Sequence, residues 1–227
     1  MTTVYLSTAA VVSDFSVSVD DGAVHPALDD DALLRLDKRF RSRRPAMVCS
    51  AIELWLAQAK PVEIPEPERR AIVLGTETGA GADIERFLSE SIKRGDAVVN
   101  PGLFPWTVHN AASGVAAIIG SCRGPNIVTS SGVQTGRSAF QTAVAQLKAG
   151  SADFVYCGVY ESMGDAFGTI ATITALATRP EMLGGRCLGP LGEMHIDIEE
   201  EVSSPQSVLR WSKNFSQSAV KVALGAR

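Results

Sequence analysis

Short apolar runs alternate with longer amphipathic stretches along most of this chain, so the hydrophobic period switches repeatedly between strand-like and helix-like. Residues 4–12 have the β-branched, apolar character of a first strand. Residues 14–28 predict a loop or a strand pair turning at Asp20-Asp21-Gly22. Asp29, Asp30 and Asp31 place acid at the start of a helix, which favours the macrodipole, and Pro45 is expected to interrupt it. In 46–59, Met47, Ala51, Leu54 and either Trp55 or Gln58 recur at helical spacing. Pro61, Pro65 and Pro67 make a connection too short for a domain linker. Then follow a strand at 70–74, the turn GTETGAGAD, a helix at 83–93, the turn-rich NPGLFPW and a helix at 107–120. A strand at 126–131, a helix at 133–149 closed by Gly150 and a strand at 153–161 complete the regular part. This alternation predicts one α/β domain over 1–227, with a mostly parallel sheet and flanking helices. From residue 180 the pattern degrades into Gly and Pro, an acidic strand MHIDIEEEV and an amphipathic helix at 206–224.

Composition narrows the function more than the fold. The 227 residues carry a net charge of -4, with 45% hydrophobic and 20% charged positions. That is ordinary for a globular protein and lacks the basic excess that phosphate backbones require, so no nucleic-acid partner is expected. Cys49, Cys122, Cys157 and Cys187 are far apart and show no CxxC spacing, which gives neither a metal site nor a disulfide framework. Three of them lie in apolar surroundings, where a thiol acts as a small hydrophobe. MTTVYLSTAAVVSDF lacks the basic leading region of a signal peptide, and the stretches at 111–120 and 168–178 are too short to span a bilayer. The expectation is a cytoplasmic chain without a membrane partner.

The stretch GPNIVTSSGVQTGRSA, 124–139, reads as a buried strand, a glycine turn and a helix start. Enzymes place nucleophiles at such turns, because the helix N-terminus stabilises developing negative charge. This turn holds Ser131, Gly132, Val133 and Gln134. Taken with GTETG at 75, NPGLFPWTVHN at 100, RGPN at 123, GVQTG at 132, FVYCGVYE at 154 and ALATRPE at 175, it resembles the N-terminal half of the β-ketoacyl synthases, members of the thiolase-like fold. The resemblance covers about 1–180 and leaves 181–227 as a reduced C-terminal extension. It implies decarboxylative condensation of acyl chains held on a cysteine, assisted by two basic residues, usually histidines. Nine residues on from Gly124 and three before Gly136, the cysteine's position falls on Val133, which cannot attack a thioester. His25 and His109 lie in the first half, and His195 sits beside an acidic strand without the family's histidine motifs.

One subgroup matches both losses. The sequence is similar to the chain-length factors of type II polyketide synthases, in the short form that accompanies ketosynthases of polyene and aryl polyene pathways. The resemblance implies no catalytic residue, a heterodimer with an active ketosynthase, and transient contact with an acyl carrier protein. It implies no cofactor of the chain's own, the acyl chains being carried on the carrier's phosphopantetheine. The aromatic-polyketide factors usually carry glutamine at the lost position; Gln134 is its neighbour. The resemblance further implies that the turn at Thr78 reaches the partner's acyl pocket. Ile127, Thr129 and Ser131 would then lie on a strand edge at the subunit interface.

Several readings stay open on the residues alone. GTETGAGAD fits neither GxGxxG nor a P-loop, so a structural turn is the simpler reading. Phe87, Leu88, Phe104 and Trp106 line the tunnel or fill the core, and for any single one the core is the commoner outcome. Arg35, Lys38, Arg39, Arg41, Arg43 and Arg44 greet an acidic carrier protein or form a solvated face. Val133, Ala139, Phe140, Ala143, Val144 and Leu147 predict one apolar helix face, opposed by a polar stripe of Gln134, Arg137, Gln141 and Lys148. That stripe suits a helix whose second covering layer is reduced. The rival functions are a stand-alone acyltransferase using Ser131 or Cys157, and a scaffold that only stabilises a partner.

Overall fold

The computed structural model describes residues 2–14, 17–18, 24–25, 42–95, 100–162 and 168–193. The acid-led helix expected from residue 29, the strand at 194–202 and the helix at 206–224 lie outside the described residues. So do Arg35, Lys38, Arg39, Arg41 and His195.

Among the described residues seven strands form one sheet: β1 (Tyr5–Ser7), β2 (Ala10–Ser13), β5 (Arg70–Gly75), β6 (Asn126–Thr129), β7 (Phe154–Ser162), β8 (Thr169–Ala177) and β9 (Cys187–Pro190). The order is β6-β5-β7-β8-β1-β9, with β2 also on β8. β5 pairs in parallel with β6 and β7, whereas β8 is antiparallel to β7, β1 and β2, and β9 is antiparallel to β1. Five strands therefore run one way, and β8 and β9 run the other. β3 (Val17–Ser18) and β4 (Val24–His25) pair antiparallel, as the turn at Asp20-Asp21-Gly22 predicts.

Among the described residues there are four α-helices, α1 (Arg43–Ala59), α2 (Gly81–Arg94), α3 (Ala111–Ile119) and α4 (Thr135–Lys148); α1, α3 and α4 flank the sheet, while α2 buries none of its residues. α1 and α3 pack on one face with Ile72, Leu74, Tyr156 and Ile173; α4 packs on the other with Ala71, Val73, Val155 and Val159. All nine residues of β7 and all nine of β8 are buried. Coverage on both faces removes the inside-outside alternation of a half-buried strand.

α1 shows how the layers lock. Trp55 is fully buried, stacks edge-on against Phe154 and Tyr156 with centroids 5.8 and 5.7 Å away, and donates its indole N–H to Ser7 Oγ at 2.9 Å. α1 begins at Arg43, ahead of the expected 46–59, with Pro45 in its first turn, where no intrahelical N–H bond is lost. The helix stops at Lys60, which turns left-handed (φ 45°) and returns its N–H to Leu56 O at 3.1 Å.

Other expectations shift. The strand expected over 4–12 is broken at Thr8–Ala9: Leu6 faces Leu176 but Ala10 faces Ile173, which leaves one extra residue on this strand, a bulge. The stretch at 168–178, given no element from sequence, is β8. The helix expected at 107–120 begins at Ala111, because Phe104–Trp106 forms a separate 3₁₀ turn. The strand expected to reach Ser131 ends at Thr129. Beyond residue 180, β9 still joins the sheet.

Candidate functional site

The turn between β6 and α4 lies at the carboxyl end of the parallel strands. Gly132 takes φ 60°, a left-handed value that glycine adopts at no steric cost, and α4 starts three residues later. Val133 precedes the helix and is 55% exposed, so it is not part of the apolar face expected of it. That face consists of buried Ala139, Phe140, Ala143 and Leu147 with half-buried Val144. Gln134, Gln141 and Lys148 are exposed and Arg137 is half-buried, as the polar stripe predicts. Gly75 lets the start of α4 approach β5: a Cβ there would stand 2.9 Å from Thr135 Cγ2.

Hydrogen bonds join this turn to the loop at 76–79. The hydroxyl of Thr135 accepts the Ser131 N–H at 2.7 Å and donates to Glu77 Oε1. The Glu77 N–H donates to Glu161 Oε1. Thr78 donates its N–H to Glu161 Oε2 at 3.0 Å and its hydroxyl to the same oxygen, with Ser162 O at 3.2 Å as a second acceptor. Glu161, at the end of β7, is 1% exposed. Burial pushes its carboxyl above the ordinary value, while the bonds from Thr78 and Glu77 pull it down. Thr76 closes the loop by accepting the Gly79 N–H at 3.0 Å. Gly79 takes φ 53°, and the His109 ring lies where its Cβ would be.

A second polar cluster fastens α2. Arg44 is buried; its Nε donates to Asp83 Oδ2 at 2.7 Å, its Nη1 to Gly79 O at 2.9 Å and its Nη2 to Trp106 O. Ser42 Oγ donates to the same Asp83 oxygen at 2.8 Å. Arg44 therefore does not belong to a solvated basic face, because its charge is consumed internally. Arg43 lies 3.7 Å from Asp14.

The aromatic segments take a different place from a core. Phe87 and Trp106 are half-buried, while Leu88 is 52% exposed and Phe104 is 62% exposed. Phe87 meets Phe104 edge-on at 6.1 Å. In the same segments Ile92 and Val108 are exposed and Ile84 is half-buried, and α2 follows directly on the loop that carries exposed Thr78. At the sheet edge, Ile127 and Thr129 of β6 are half-buried, and Ser131 just beyond is exposed.

Of the other candidate nucleophiles, Cys157 is fully buried and its thiol is pushed far up by desolvation, which makes it inert. Cys122 is pushed up to about 12 for the same reason. Among the described residues the Ser131 hydroxyl has no hydrogen-bonded base, and no group of three or more His, Cys, Asp or Glu could hold a metal ion. No helix among them is long and apolar enough to cross a membrane.

The buried network, including Glu77, Glu161, Thr135 and Arg44, escapes sequence reasoning. Its one signal is Glu161, a lone carboxylate ending an otherwise apolar strand.

Residues 41–188, well over half of the chain, match the family described as β-ketoacyl synthase, N-terminal domain, and the chain belongs to that family. A search of curated protein sequences gave no match. Among solved structures, the ishigamide ketosynthase/chain length factor is 19% identical with a TM-score of 0.63, covering 77% of this chain and 62% of that one. The ketosynthase ApeO in complex with its chain length factor ApeC, from Xenorhabdus doucetiae, is 16% identical with a TM-score of 0.55, covering 77% and 79%. A type II polyketide synthase acyl-carrier protein in complex with its ketosynthase (AntDE:AntF) is 15% identical with a TM-score of 0.59, covering 78% and 63%. This chain thus spans less than two thirds of the length of the ishigamide protein. At these identities the likeness is one of fold.

Proposed function

We propose that this chain is a chain-length-factor-like subunit that pairs with an active ketosynthase, supplies no nucleophile, and bounds the tunnel receiving the growing acyl chain. The elongation is of the polyene or aryl polyene type, proceeds in the cytoplasm, and uses acyl groups delivered on the phosphopantetheine of an acyl carrier protein. The observation that carries this reading is Val133, exposed just before a helix N-terminus, at the position where the resemblance expects the family's cysteine. The turn, the glycine and the helix are present; the sulfur is not.

Two surfaces support a partner. Among the described residues β6 ends the sheet, and such an edge offers N–H and C=O groups to a strand of another subunit. Apolar side chains of α2 and the 3₁₀ turn follow the Thr78 loop, which supports the reading that Thr78, Phe87, Phe104 and Trp106 line a tunnel crossing between subunits. The ishigamide and Xenorhabdus structures, each described as containing a ketosynthase and a chain length factor, agree with this pairing.

The test is co-expression with a ketosynthase, followed by size-exclusion chromatography and product analysis. A stable one-to-one complex is expected, with Phe87→Ala or Trp106→Ala lengthening the product, since each buried methylene is worth about 0.8 kcal/mol. Val133→Cys should gain an alkylatable thiol without gaining condensation by the isolated chain. A monomer indifferent to the ketosynthase would refute the reading.

A further inference from the structure

The turn at 131–134 carries Val133 where the resemblance expects the family's cysteine, and hydrogen bonds tie this turn to the loop at 76–79. A continuous route runs from the Ser131 N–H to the Thr135 hydroxyl, on to the Glu77 carboxylate, and from the Glu77 N–H to Glu161, which also holds Thr78 twice. We propose that Glu161 and Thr135 are positioning residues for the loop at 76–79, and that the vacated turn is retained as that loop's anchor. The functional half of this inference rests on the reading that the loop meets the partner's acyl pocket.

The chemistry at each end is specific. An ionised carboxylate is a pure acceptor, and three donors from Glu77 and Thr78 converge on the two Glu161 oxygens. A glutamine would turn an NH₂ toward one of those donors and lose that bond. Thr135 needs both of its branches: the methyl packs beside Gly75, and the hydroxyl accepts from one side while donating to the other. Valine keeps the shape and loses both bonds, whereas serine keeps both bonds and loses the methyl. The far side of the loop is fixed separately, through Gly79 O on Arg44 and the His109 ring over Gly79. Once Glu77 and Glu161 are engaged, only the Thr78 region of the loop remains exposed.

The test is residue-resolved amide exchange on the full chain, alone and with the ketosynthase. In Glu161→Gln and in Thr135→Val, the amides of Glu77 and Thr78 should exchange roughly tenfold to hundredfold faster, as expected for losing a hydrogen bond to a charged acceptor. Amides of α1 and β7 should be unchanged, and Thr135→Ser should restore the protection that Thr135→Val removes. In the complex, both variants should broaden the product distribution. If Glu161→Gln fails to fold, the isosteric Thr135→Val with its serine rescue decides the matter alone. Unchanged exchange at Glu77 and Thr78, or acceleration spread equally over α1, would overturn the inference. If the unmodified chain does not bind the ketosynthase, the functional reading fails instead, and the exchange result on the isolated chain still stands.

Discussion

α1 and α2 are helices of similar length held to the molecule by opposite means. Ten of the seventeen residues of α1 are buried, whereas none of the fourteen of α2 is, although Ile84, Phe87, Leu88 and Ile92 make an apolar face along it. α1 spends its hydrophobic stripe on the sheet. α2 is fastened at its first turn by Asp83, through Arg44 and Ser42, and leaves Ile92 85% exposed. The contrast separates a helix that completes this chain's core from one whose apolar side is free for a second surface.

The largest effect that would sharpen this contrast is Trp55→Ala. Removing a fully buried indole with two aromatic neighbours should cost about 3–5 kcal/mol, read as a lower denaturant midpoint. Arg44→Met leaves Asp83 without its cation and frees the Gly79 and Trp106 carbonyls; about 3 kcal/mol is expected. Its loss should show as faster amide exchange in α2 and the 76–79 loop, with α1 still protected. Equal exchange in both helices would break the contrast.

Leu88→Asp should leave the isolated chain's stability within about 0.5 kcal/mol. It should weaken ketosynthase binding by about 2 kcal/mol, measured by titration calorimetry, if this face is an interface centre. A destabilised chain with unaltered binding would place the face inside the molecule instead.

Glu161 contributes a smaller, pH-dependent effect. Its carboxyl is raised by burial, so the folded state holds the proton more tightly than the unfolded chain. Stability is then complete below the unfolded carboxyl range and declines as pH rises through the folded value. Glu77 on the loop and Tyr160 on the same strand are the neighbouring acidic groups, with Arg44 beyond them. Glu161→Gln should flatten this slope in urea midpoints taken upward from the ordinary glutamate range, about pH 4. The smallest effect is on α2 itself: Arg94 pairs with Glu90 at 3.3 Å, and Arg94→Ala should cost about 0.3–0.5 kcal/mol, visible only as fraying of the last turn.

What the sequence determined by itself is what local period and local chemistry encode. The helical spacing of Met47, Ala51, Leu54 and either Trp55 or Gln58 marks α1, the glycine of GVQTG marks the turn before α4, and counting from Gly124 and Gly136 sets Val133 at the seat the resemblance expects for a thiol. β8 was not legible, because a strand buried on both faces loses its alternation and resembles any apolar run. Only the tertiary structure decided the fate of charges and aromatics. Arg44 reads as one more arginine in a basic run until Asp83, 39 residues away, neutralises it, and Phe104, for which sequence leaves core and tunnel open, is 62% exposed. Glu161 meets Glu77 and Thr78 from 84 and 83 positions away, a distance over which no local pattern carries information. Whether a side chain is covered or paired depends on what the rest of the chain brings to it.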